Sequence, residues 1–322
     1  MEPQAGGACR AGNIYNLLQR VLYRMAEQGQ LEYAQIPVIS LNLMGEEKHT
    51  GFRITPSLLS GGIAAGCYGD LIMCLYQQVK PYEQNPGETD RIRSQVEKKL
   101  CESIRRHRNG RHTREKNYRY ACEVFSKVPV TPGKKKRVGI TGEIYMKYSK
   151  LGNDDIESFL LRQGMEPYSG GFVNYCLYLV DTERYKAEKY QHNPIMAKAC
   201  AFVLHRLCEA QKHLLTVIGE TDRFQTDLPF PELKEKVQGI LAEGCNTGDG
   251  WLIAAEVIQY VEKGCGSVLI LHPFGCLVSH VCERGILQRL HARFPDVSIQ
   301  TIEYDYDQSK TLRESRILLA IS

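Results

Sequence analysis

The sequence predicts an α/β protein: a Rossmann-like parallel-sheet unit with helical insertions, preceded by a mostly helical N-terminal region. Three observations predict it. Residues 137–142, 264–272 and 297–304 are short apolar runs, the pattern of strands buried on both faces. Helical periodicity separates these runs, as parallel strands require. The first 130 residues carry helix-spaced apolar positions in place of period-two alternation.

In chain order, residues 13–30 read as an amphipathic helix, with Ile14, Leu17, Leu18, Val21, Leu22 and Met25 at helical spacing and Gly29 as the stop. Ile36-Pro37-Val38-Ile39-Ser40-Leu41 is a strand-type run. Thr55-Pro56 starts a long helix, since a capping hydroxyl and a proline in the first turn are both favourable. That helix carries Leu58, Leu59, Ile63, Leu71, Ile72 and Leu75 and ends near Lys80-Pro81. Another helix is expected over 88–107. Val130-Thr131-Pro132-Gly133-Lys134 forms the boundary, giving a helical region over 1–132 and the α/β domain over 133–322. After the 137–142 strand, Gly152-Asn153-Asp154-Asp155 caps a helix running through Arg162-Gln163-Gly164. A helical insertion is expected around 181–243, and 252–263 is a further helix.

The N-terminus lacks a cationic start followed by an apolar run, and no uninterrupted apolar stretch reaches the roughly 20 residues a membrane helix needs. The expected compartment is therefore the cytoplasm, without a membrane partner. There, twelve cysteines point away from disulfides and toward packing, metal binding or catalysis. Roughly two-thirds of them are expected to be buried packing residues. Cys67 with Cys74, and Cys200 with Cys208, fall in helices and belong to that group. No pair forms a CxxC, so a zinc ribbon is not supported.

The net charge is +4, concentrated in Arg105-Arg106-His107-Arg108 through Arg119 and in Lys134-Lys135-Lys136-Arg137. No aromatic residues interleave there as a stacking platform would need, so no nucleic-acid partner is expected and a solvated helix face is the better account. The glycines at 61–66 lack the GxGxxG spacing, and no GxxxxGK[ST] occurs, which argues against nucleotide binding by this chain.

Ligands of open parallel sheets gather where strands hand over to helices. Three such loops stand out. The first contains Glu143, the second runs from Gly244-Cys245 through Gly248 and Gly250-Trp251, and the third is His272-Pro273-Phe274-Gly275-Cys276-Leu277. Cys245 and Cys276 both lie beside expected helix N-termini, where partial positive charge lowers a thiol pKa and favours metal ligation. Flanking glycines let the backbone approach an inorganic cluster closely.

Several motifs then resemble those of the 2-hydroxyacyl-CoA dehydratase and CoA-enzyme activase-related family. They are GDGWLIAAE at 248–256, HPFGCLVSH at 272–280, VGITGEIYMKY at 138–148 and IEYDYDQSKTLRESRI at 302–317. Upstream, ISLNLMGEEKHTGFRIT at 39–55 and YGDLIMCLYQQVKPYE at 68–83 are similar to the stretch preceding this domain in the large activator-related proteins. The similarity is collinear over nearly the whole chain.

The resemblance implies an iron–sulfur cluster, expected to be of the four-iron, four-sulfide type, with Cys276 and Cys245 as metal ligands. Glu143, Gly244, Gly248, Gly250, Trp251 and Gly275 would form the cofactor-binding surroundings, with His280 either beside them or simply capping or packing in its own helix. It further implies electron transfer to an acyl-CoA or similar substrate in a lyase component. The expected partner is an ATP-hydrolysing activator or a sister subunit within an oligomer. Two departures stand against the pattern: Val278-Ser279 occupies a position where proline is common, and only two thiolates are nominated where such a cluster wants three or four. The alternative expectation is a non-catalytic scaffold subunit without a cluster.

Overall fold

The computed structural model describes residues 12–30 and 55–322. The strand expected over 36–41 lies outside these residues.

The N-terminal region is helical. α1 spans Gly12–Glu27, α2 Pro56–Val79, α3 Glu88–Arg105 and α4 Arg111–Ser126. Thr55 caps α2 as expected, its hydroxyl oxygen accepting from the Leu58 N–H at 3.1 Å. Residues 57–82 are long and apolar enough, by length and composition alone, to cross a membrane. This segment escaped a search for uninterrupted apolar runs because Asp70, Gln77 and Gln78 punctuate it. Within the fold, one face of α2 supplies core residues Cys67, Leu71, Leu75 and Val79.

The α/β part follows. β1 is Arg137–Gly142, α5 Ile144–Tyr148, α6 Ile156–Arg162 and β2 Glu166–Ser169. α7 is Phe172–Lys189, α8 Pro194–Gly219, α9 Phe230–Glu235 and α10 Gly250–Glu262. β3 is Cys265–Pro273, followed by a π-helical turn over Ser279–Glu283, α11 over Arg284–Arg293, β4 over Ser298–Tyr304 and α12 over Lys310–Ile321. The sheet is wholly parallel with order β2-β1-β3-β4. This is the α/β architecture with a helical N-terminal region that the sequence predicts. The sequence reading missed β2, because four residues including a proline carry no strand periodicity. The helical insertion also starts earlier than expected, at Phe172.

Alternation along β3 divides the core. Leu269 and Leu271 face one layer with Val138, Ile140, Phe159, Leu160 and Ile317, while Val268 and Ile270 face the other. The second layer is larger and joins α2, α3, α4, α7, α8, α9, α10 and α11. α10 seats on β1 because residue 139 is glycine: a Cβ there would lie 2.7 Å from the ring of Tyr260. The order places β1 and β3 side by side with their onward connections leaving in opposite directions. This topological switch point lies at the C-terminal edge of the sheet, where open α/β folds bind ligands.

Candidate functional site

The loops leaving β1 and β3 meet at this edge. Glu143, immediately after β1, donates its backbone N–H to Leu271 O at 2.8 Å, and its carboxylate caps α5 by accepting from Met146 N at 3.0 Å. The segment before α10 arrives at the same edge because a helix returning to a parallel strand starts there. Its path depends on two glycines. At Gly250 (φ +37°) a Cβ would lie 2.2 Å from Cys245 O, and at Gly248 (φ +58°) one would lie 2.9 Å from Val278. The second contact locks the 244–250 loop against the start of the helical segment that follows β3. Trp251 donates its N–H to Cys245 O at 2.9 Å and is itself buried between Tyr178 and Phe230. A Cβ at Gly244 would lie 3.4 Å from the hydroxyls of Tyr185 and Tyr190, and Gly275 supplies a left-handed turn (φ +64°) before Cys276.

The thiols form a group of three. Cys245 and Cys276 are joined by Cys282, which the sequence reading left unassigned. Burial pushes the Cys282 thiol up to about 11, and charge on Cys245, Glu283 and Cys276 adds to the rise. All three are half-buried. The lowered thiol pKa expected at Cys276 is not found: burial raises it, outweighing the help of Ser279. The Ser279 backbone N–H does pull the Cys276 thiol down, as a helix start should, but desolvation is the larger effect. The spacing Cys276-x5-Cys282 was visible in the sequence, but its nearness to Cys245 is set by the tertiary fold.

Buried carboxyls surround the thiols. Glu283 is fully buried and its pKa is pushed up to about 8 by burial, with the Glu143 charge adding to the rise. Neither of its oxygens has a hydrogen-bond partner; Ser279 approaches it and offsets part of the rise without reaching hydrogen-bond geometry. Asp249 stands well above the usual carboxylate range, chiefly through burial and then through the charges of Glu143, Glu283 and Glu256. Glu256 is compensated: Lys147 donates to it at 2.7 Å and Thr141 at 2.5 Å, with both members of the ion pair 3% exposed. Tyr178 OH, Asn246 Nδ2 and His272 Nε2 are further buried polar atoms without partners in these segments.

The basic runs behave as a solvated surface. Arg105 and Arg106 pair with Glu102, and Arg119 bridges Glu115 and Glu220. Cys67 and Cys122 pack in the core, and none of the described cysteines forms a disulfide.

Comparison of the chain with protein-family models, with curated proteins and with solved structures gives no match in any of the three.

Proposed function

We propose that this chain is an iron–sulfur redox protein of the kind that the 2-hydroxyacyl-CoA dehydratase and activase-related resemblance suggests. The single observation that carries the reading is the approach of three thiols, Cys245 before α10 and Cys276 and Cys282 after β3, close enough to influence one another's charge at the switch point of a parallel sheet. The donor set fits such a group. Thiolates are the soft ligands that iron–sulfur clusters take. Glu283 and Asn246 add buried polar atoms without partners in the same segments. Cys276, Cys245 and Cys282 would hold a cluster of the four-iron type, which supplies one-electron transfer when bound.

The protein's own residues then have definite tasks. Burial pushes Glu283 up to about 8 and Asp249 well above the usual carboxylate range, which reduces the negative charge they place beside thiolates. Glu143 holds the turn after β1, and Trp251 closes the floor beneath the 244–250 loop to water. Leu277 and Val281, both exposed, flank the thiols on the segment after β3 and suit docking of an activator or sister subunit. An acyl-CoA substrate and a cytoplasmic setting belong to the same reading.

A scaffold role without a cluster is the second reading, favoured by the raised Cys276 and Cys282 thiols, which resemble packed cysteines. Iron and acid-labile sulfide, measured with an absorption spectrum on protein purified without oxygen, separate the two. The proposal expects near-stoichiometric iron and sulfide, lost in Cys276→Ser, Cys245→Ser and Cys282→Ser and kept in Cys122→Ser. Colourless protein after reconstitution, with or without candidate partner subunits, would leave the scaffold reading standing.

A further inference from the structure

A second donor cluster lies beside the thiols and uses none of them. His272, near the end of β3, His280, in the π-helical turn, and Glu303, near the end of β4, place one nitrogen each and a carboxylate oxygen within 4.8 Å of one another. His280 Nε2 stands 3.6 Å and His272 Nδ1 3.8 Å from Glu303 Oε2. Metal–ligand bonds of about 2.0–2.1 Å in tetrahedral array put ligand atoms roughly 3.3–3.4 Å apart. Both nitrogen–oxygen separations therefore lie within a few tenths of an ångström of those around a bound ion.

Two further features favour coordination over packing. A carbonyl oxygen only accepts, so the 2.8 Å contact between His280 Nδ1 and Cys276 O makes Nδ1 the protonated nitrogen. Nε2 is then the ring atom of His280 turned toward the Glu303 carboxylate, where an ion bound by the acid would meet it. A backbone carbonyl behind a histidine is also the usual outer support of a metal-bound imidazole. Furthermore, His272 is fully buried: its Nδ1 lies 3.3 Å from Pro273 O and 3.8 Å from Glu303, while its Nε2 has no partner, leaving the ring with hydrogen-bonding or ligating capacity unmet in the core.

The present cation is Arg284, whose guanidinium lies 3.0 Å from Glu303 Oε2. At 45% exposure it has room to swing aside.

We propose that His272, His280 and Glu303 form a binding site for one divalent transition-metal ion of the zinc type, independent of the cysteines. Two imidazoles and one carboxylate match the donor preference of zinc, and three protein ligands leave a coordination position for water or a small ligand. His280 (37% exposed) and Glu303 (21%) open the site to solvent.

Cobalt titration of the full, metal-stripped chain tests this, followed by zinc displacement. One cobalt per chain is expected, with visible ligand-field bands and no thiolate-to-cobalt charge transfer. Binding should weaken at least tenfold in His280→Ala and in Glu303→Gln. It should persist in Cys245→Ser and Cys282→Ser, and hold or tighten in Arg284→Ala, where the competing cation is gone. Circular dichroism would confirm that both ligand variants fold. An absence of binding, a strong charge-transfer band, or affinity indifferent to both ligand variants would overturn the site. Because the readout involves neither iron nor the thiols, loss of the iron–sulfur reading leaves this result unaffected.

Discussion

Asp70 illustrates how a single side chain ties two regions together. Although it lies in α2, its carboxylate accepts from the Phe172 and Val173 N–H groups at 2.7 and 2.9 Å, capping α7 from outside. Burial nevertheless pushes its pKa up to about 7, against the pull of those two amides. The folded protein therefore keeps a proton here that the unfolded chain releases at ordinary carboxylate pH. Between about pH 4 and 7 the native state binds more protons, so stability falls as pH rises, by up to about 1.4 kcal/mol per pH unit. Asp70→Asn should flatten that slope, as read from urea midpoints measured across the window. An unchanged slope would mean that Asp70 does not titrate in this way. The sequence offered no hint of this cap, because its partners lie a hundred residues away. At the same scale, Cys245 and Cys276 were legible from their glycine-framed loops, while Cys282, Glu283 and Asp249 became visible only through burial.

At the scale of elements, the turn into α10 is the most constrained piece of the site. Alanine at 250 would need both a left-handed backbone and space already held by Cys245 O and the Tyr178 hydroxyl. Gly250→Ala should cost at least about 1–3 kcal/mol in thermal or chemical denaturation. It should also displace Cys245 and lower iron content if the cluster reading holds. Gly266→Ala on β3 meets open space and serves as the control, with an expected change within about 0.5 kcal/mol. Equal effects of the two would show that the turn has slack. The long elements were readable here because periodicity accumulates over many residues: α2, α3, β1, β3, α10 and β4 all fall within a few residues of their expected places. β2 and the π-turn were unreadable because each is too short to express a period, and each exists through its neighbours.

Across the whole molecule, one apolar cluster takes side chains from α2, α3 and α4 as well as from α7, α10, β3 and β4. The turn-forming residues at 130–134 thus mark a change of local structure while the core runs through. Unfolding of the described part should proceed as one cooperative transition, with matching calorimetric and van't Hoff enthalpies. Two resolved transitions, or a 133–322 fragment that melts at the temperature of the intact chain, would show the two regions to be independent. By itself the sequence determined the α/β class, the order of nearly all elements and the glycine turns at the strand ends. These rest on local periodicity and backbone sterics, which neighbouring residues encode. Tertiary structure alone decided the sheet order and hence the switch point, the convergence of Cys245, Cys276 and Cys282, and the pairing of His272 and His280 with Glu303. Those depend on which strands lie side by side and on how far burial outweighs nearby dipoles, and both are set by contacts between residues far apart in the chain.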